Sequence, residues 1–134
     1  MNDRPRPLAG LHVLLVDDDI HVRDMVTMML EHAGAQVTGC ANGPQALEAL
    51  RVSVPDVIVM DINLPGPSGL SVIRTIRRLD DPVARAVPAI AVSGYGEQFG
   101  LEHITEAGFT ECLSKPVPLD QFVRTVARVV GRTV

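Results

Sequence analysis

Six residues carry functional groups that could act on one substrate: Asp17, Asp18, Asp19, Asp61, Ser93 and Lys115. All lie at or within three residues of the end of a short apolar run. Three carboxylates within about 5 Å would repel one another by roughly 3 kcal/mol per pair at an effective dielectric near 20, so something must offset them. A hard divalent cation with oxygen ligands does so. Mg2+ (or Mn2+) suits one or two carboxylates together with waters and a phosphate. The Lys115 ammonium would neutralise one more charge. A carboxylate can attack phosphorus and form an aspartyl phosphate. Such a transfer needs in-line positioning and stabilisation of charge on the equatorial oxygens, which a cation, Lys115 and the Ser93 hydroxyl could share. Asp61 would be its own nucleophile and would need no general base. Each group also has a plainer role. An Asp after a strand often caps the next helix, and Asp19 reads that way. A lone lysine is usually solvated, and Ser93-Gly94 alone would be a turn. The joint placement of these groups carries the argument.

The elements that must position them follow from periodicity. His12–Val16 is nearly all apolar, as a doubly buried strand should be, and stops at the three aspartates. Val22, Met25, Val26, Met29, Leu30 and Ala33 then fall on one helical face, ended by Gly34. Residues 35–40 read as a second strand. Asn42-Gly43-Pro44 opens a second helix with Ala46, Leu47, Ala49 and Leu50 inward. Residues 56–60 form a third strand stopping at Asp61. A turn-rich loop over 64–69 leads into a third helix bearing Leu70, Val72, Ile73, Ile76 and Leu79, which Asp80-Asp81-Pro82 ends. Residues 88–92 form a fourth strand stopping at Ser93. Leu101, Ile104 and Ala107 mark a weaker fourth helix, capped by Gly108. Residues 110–114 form a fifth strand stopping at Lys115-Pro116. Leu119, Phe122, Val123, Val126, Ala127 and Val130 make the last helix amphipathic. Five strands alternating with five helices predict a doubly wound α/β domain with a parallel sheet. Ligands in such sheets gather beyond the carboxyl ends of the strands, where four of these five strands carry a polar or charged group.

The chain has 134 residues, 46% of them hydrophobic, with no Trp, one Tyr and three Phe, so one domain with an aliphatic core is expected. A formal charge of -4 argues against non-specific binding to nucleic acid or an anionic membrane. No apolar run approaches the ~20 residues of a membrane span. Residues 1–10 are polar and Pro-rich, reading as a flexible tail or linker rather than a signal peptide, with the domain over 11–131 and a short tail over 132–134. Cys40 and Cys112 have no disulfide-framework spacing, which fits a reducing cytoplasm. The four histidines are scattered and show no metal-ligand spacing.

Four motifs in order, Val13-Leu14-Leu15-Val16-Asp17-Asp18-Asp19, Val59-Met60-Asp61-Ile62-Asn63-Leu64-Pro65-Gly66-Pro67-Ser68-Gly69, Ala91-Val92-Ser93-Gly94 and Leu113-Ser114-Lys115-Pro116, resemble the receiver domain of bacterial response regulators, a chemotaxis-regulator-like fold. The resemblance runs from about Leu11 to Gly131. It implies a flavodoxin-like strand order of 2-1-3-4-5 and a phosphorelay role. Asp61 would accept a phosphoryl group from the phosphohistidine of a histidine kinase or histidine phosphotransfer protein. Asp18 and Asp61 would ligate Mg2+ directly, with the backbone carbonyl of Asn63, while Asp17 would act through a water. Ser93 would be a switch hydroxyl and Lys115 would bind a phosphoryl oxygen, with the Lys115–Pro116 bond cis. The side chains of Asn63 and Tyr95 would flank the site and tune its rates. Such a domain is a regulatory phosphoacceptor, catalysing only its own phosphotransfer and dephosphorylation.

Two positions depart from the family pattern. An aromatic residue commonly stands three before the lysine, where this chain has Cys112, and Phe frequently follows Lys-Pro, where it has Val117. The expected consequence is that the loop at Gly94-Tyr95-Gly96 and the following helix carry the signal instead. Two other functions use related features. A Mg2+-dependent aspartyl-phosphate phosphatase usually has a second acid two residues after its nucleophile, where this chain has Asn63. A receiver fold can also serve only as an interaction module. With no output domain in the chain, a stand-alone regulator and the receiver of a hybrid kinase are both expected contexts.

Overall fold

The computed structural model describes residues 6–94 and 100–132. The elements run β1 (His12–Val16), α1 (Ile20–His32), β2 (Gln36–Cys40), α2 (Gly43–Val52), β3 (Val57–Asp61), α3 (Gly69–Ile76), α4 (Pro82–Arg85), β4 (Ala89–Ser93), α5 (Leu101–Ala107), β5 (Glu111–Ser114) and α6 (Leu119–Val129). The five strands form one sheet in the order β2-β1-β3-β4-β5, and every pairing is parallel. The expected doubly wound architecture is therefore present.

The apolar alternation of each strand feeds two cores. Leu14, Val16, Ile58, Met60, Ala89 and Ala91 face α2, α3 and α5. Val13, Leu15, Val57, Val59, Ile90 and Val92 face α1 and α6. All five residues of β3 and of β4 are buried, as central parallel strands require. The helix starts follow the expected cap chemistry. Asp19 accepts from the backbone N–H groups of His21 and Val22, and Asn42 accepts from that of Gln45 with a proline in the first turn.

Three features differ from the expectation. The described residues contain six helices rather than five. Asp81 caps the one-turn α4, and Pro82 begins it instead of only ending α3. Met25 and Leu119, read as inward, are 56% and 48% exposed: Met25 lies at the edge of the apolar stripe of α1, and Leu119 is the first residue of α6. Residues 6–10, read as tail or linker, pack on the domain. Leu8 is fully buried, its N–H donates to the Ala33 carbonyl at 2.8 Å, and Arg132 donates to the Pro7 carbonyl. Gly34 permits this contact. It sits at φ 106°, and a Cβ there would lie 2.9 Å from the Ala9 backbone.

Truncating Leu8 to Ala should therefore lower unfolding free energy by about 2–5 kcal/mol, as for other buried leucines. Urea denaturation measures this, and a freely mobile tail would leave the midpoint unchanged.

Candidate functional site

β1 and β3 lie side by side, with Asp17 directly after β1 and Asp61 ending β3, so the topology alone brings the two together. Their carboxylates are fixed in the same way. The Oδ1 of Asp17 accepts from the N–H of Asp19 at 2.9 Å, and the Oδ1 of Asp61 accepts from the N–H of Asn63 at 2.9 Å. In each case an Asp bonds the backbone two residues on, a local turn that this side chain favours. The Oδ2 atoms are left to face Lys115, whose Nζ donates to Asp61 at 2.9 Å and to Asp17 at 3.5 Å. Both aspartates are buried, while the Lys115 side chain is 32% exposed.

Lys115 reaches them from the end of β5, where its N–H donates to the Ser93 carbonyl at 2.7 Å. The Lys115–Pro116 bond is cis, as the resemblance implies. Ser93 ends β4 and is buried; its hydroxyl lies 3.8 Å from the Cys112 sulfur. Asp18 is exposed, and its carboxylate gathers with those of Asp17 and Asp61, ligand atoms lying within 4.8 Å of one another. Asp19 is occupied as the α1 cap. Tyr95 lies outside the described residues.

Burial is the largest influence on Asp17 and raises its pKa, with the Asp61 charge adding to it against the opposing Asp19 N–H and Lys115. For Lys115, burial alone would lower the pKa. The hydrogen bond and charge of Asp61, with those of Asp17, outweigh burial and hold it above the ordinary lysine value. Three carboxylates against one ammonium leave two negative charges, all on oxygen, which is a donor set that fits a hard divalent cation.

Two contributors escaped the sequence reading. Arg23 donates from α1 to the Asp17 carbonyl at 2.7 Å, holding the β1 end to the helix. Gly69 begins α3 directly against the site. A Cβ there would lie 2.5 Å from the Asp61 carbonyl oxygen and 2.8 Å from the Ile62 Cα. The Pro-Gly-Pro-Ser-Gly run signalled a turn there but not this close approach. A cavity of about 520 Å³ between α1 and α6 reaches the site, with Met25, Val26 and Phe122 among its apolar walls and Asp17, Asp61 and Lys115 at one end.

Residues 13–127 match the family described as the response regulator receiver domain. The chain belongs to this receiver family. The polar-differentiation response regulator DivK of Brucella anthropi is 32% identical to this receiver over 119 residues, covering 89% of this chain and 95% of its own. Among solved structures, the receiver domain of a sensor histidine kinase from Pseudomonas aeruginosa superposes with a TM-score of 0.82 at 33% identity, covering 92% of this chain and 99% of the other. That structure holds a magnesium ion in its active site cleft. The chemotaxis response regulator CheY4 of Vibrio cholerae gives a TM-score of 0.81 at 28% identity, covering 89% and 98%. Like these relatives, this receiver is a module of two-component signalling. Among its described residues no helix is long and apolar enough to cross a membrane.

The raised Asp17 pKa fixes the sign of a stability effect. The folded chain holds this proton more tightly than the unfolded one, so ionised Asp17 costs stability above its folded pKa, and the cost fades as pH falls towards the ordinary carboxylate value. Asp17→Asn should raise the melting temperature by a few degrees at pH 7 in chelator, and the gap should shrink as the solution is acidified. Thermal melts at several pH values measure both.

Proposed function

We propose that Asp61 accepts a phosphoryl group from the phosphohistidine of a histidine kinase or histidine phosphotransfer protein, in a Mg2+-dependent reaction, and that the modified domain controls a protein partner. The observation that carries this is the Asp61 carboxylate itself, buried, with one oxygen held by the Asn63 N–H and the other by Lys115 at 2.9 Å. A carboxylate oxygen of Asp61 attacks phosphorus and the P–N bond to the donor imidazole breaks. The imidazole leaves with the electron pair and takes a proton from solvent.

Lys115 serves both states. Before transfer it balances Asp61. Once the acyl phosphate forms, negative charge has moved from the carboxylate to the phosphoryl oxygens, and the ammonium follows it. Ser93 donates its hydroxyl to another phosphoryl oxygen. Asn63, two residues past Asp61, tunes gain and loss of the group, a role that the family resemblance also gives to Tyr95. Later attack by water releases inorganic phosphate and restores Asp61, so the only turnover is of the domain's own modification.

Asp18, Asp61 and the Asn63 carbonyl would hold Mg2+ (or Mn2+), with Asp17 one water away. When bound, the ion screens charge on the phosphoryl oxygens. The acidic cluster and the magnesium in the related Pseudomonas receiver support this reading. The net charge of -4 favours protein partners over nucleic acid or membrane surfaces, and the free cysteines suit a cytoplasmic setting.

Incubation with a small acyl phosphate and Mg2+ should add one phosphoryl group by intact-protein mass. Asp61→Asn should gain none, chelation should abolish the gain, and Asp18→Ala should slow it. A chain that gains nothing from any donor would instead serve as an interaction module.

A further inference from the structure

Ser93 is only 6% exposed, so its hydroxyl depends on protein neighbours for a partner. Among the described residues that neighbour is Cys112, its sulfur 3.8 Å from the Ser93 Oγ. Strand register makes the contact possible. Ala91 of β4 pairs with Cys112 of β5, and Ser93 lies two residues further on the same face, diagonal to the thiol. The thiol has a second contact, donating to the Leu113 carbonyl at 3.9 Å.

A thiol carries one proton. With that proton directed to the Leu113 carbonyl, the sulfur is left to accept, and the Ser93 hydroxyl becomes the donor. Its proton is the one that a phosphoryl oxygen on Asp61 would need. We infer that Cys112 is a positioning residue for Ser93, holding the hydroxyl proton on sulfur until a phosphoryl group on Asp61 offers a better acceptor. The inference rests on the reading of Asp61 as phosphoacceptor.

The relative strengths set the direction of the exchange. Sulfur is a weak acceptor, whereas a hydrogen bond to an ionised oxygen is about twice as strong as a neutral one. Ser93 therefore leaves Cys112 when the charged group arrives and returns when it is lost. The hold is small, so its removal changes rates modestly rather than switching the reaction on or off. It also requires no large side-chain swing, which suits a position occupied by a small, half-buried residue.

The test is a double-mutant cycle on the rate of phosphoryl gain from a small acyl phosphate with Mg2+. Cys112→Val, close in volume and without a hydrogen-bonding atom, should speed the gain by about 2- to 5-fold when Ser93 is present. In a Ser93→Ala background the same change should have no effect. Equal effects in both backgrounds would overturn the inference, since they would make Cys112 a packing residue only. If Cys112→Val does not fold, Cys112→Ala takes its place. A second readout needs no substitution at Cys112: the S–H stretching band in the infrared should shift on Ser93→Ala, and an unmoved band would overturn the contact itself. Wild-type protein that gains no phosphoryl group would overturn the Asp61 reading and the inference with it. Gain in wild type without coupling would overturn the inference alone.

Discussion

The site is organised by a charge balance that the fold cannot avoid. Parallel pairing of β1 with β3 places two aspartates at adjacent strand ends, both buried. Such a pair is costly unless each charge is met. The chain meets them with matched devices: a backbone N–H two residues on for each Oδ1, and the Lys115 ammonium for each Oδ2. One lysine is not enough for three carboxylates, and the remaining negative charge makes the site receptive to a divalent cation. Under the proposed function, the same shortage lets Lys115 follow charge from Asp61 to a phosphoryl group.

Other parts of the molecule hold this balance in place. Arg23 ties the end of β1 to α1. Gly69 lets α3 begin against the Asp61 carbonyl, where any side chain would collide. The N–H of Lys115 is bonded to the carbonyl of Ser93, which keeps the ends of β4 and β5 that carry the hydroxyl and the lysine side by side. The two cores on either face of the sheet fix the strand ends from which all these groups project.

The strands, their order of appearance and the acidic cluster were legible because they depend on local runs and on where those runs stop. β1 stops just before Asp17 and β4 stops at Ser93 by the same break in apolar character. The strand order came from resemblance, since periodicity cannot say which strands are neighbours, and the sheet agrees with it. What stayed hidden depends on tertiary neighbours. Leu8 sits in a Pro-rich stretch that reads as a tail, yet it is buried by α1 and the second core. Pro82 reads as a helix end, although Asp81 makes it a helix start, as Asn42 does for Pro44. The Arg23 contact joins residues six apart through a carbonyl, which no motif marks. Cys112 was visible as a departure from the family pattern, but its contact with Ser93 arises only from the β4–β5 register.

In the proposed function this balance serves one carboxylate. Reductive trapping reads it directly: after exposure to a phosphodonor with Mg2+, borohydride converts an aspartyl phosphate to homoserine, and peptide sequencing by mass spectrometry locates it. Homoserine is expected at position 61 alone. Trapping at Asp17 or Asp18, or a stable phosphate on Ser93 with position 61 unchanged, would contradict it.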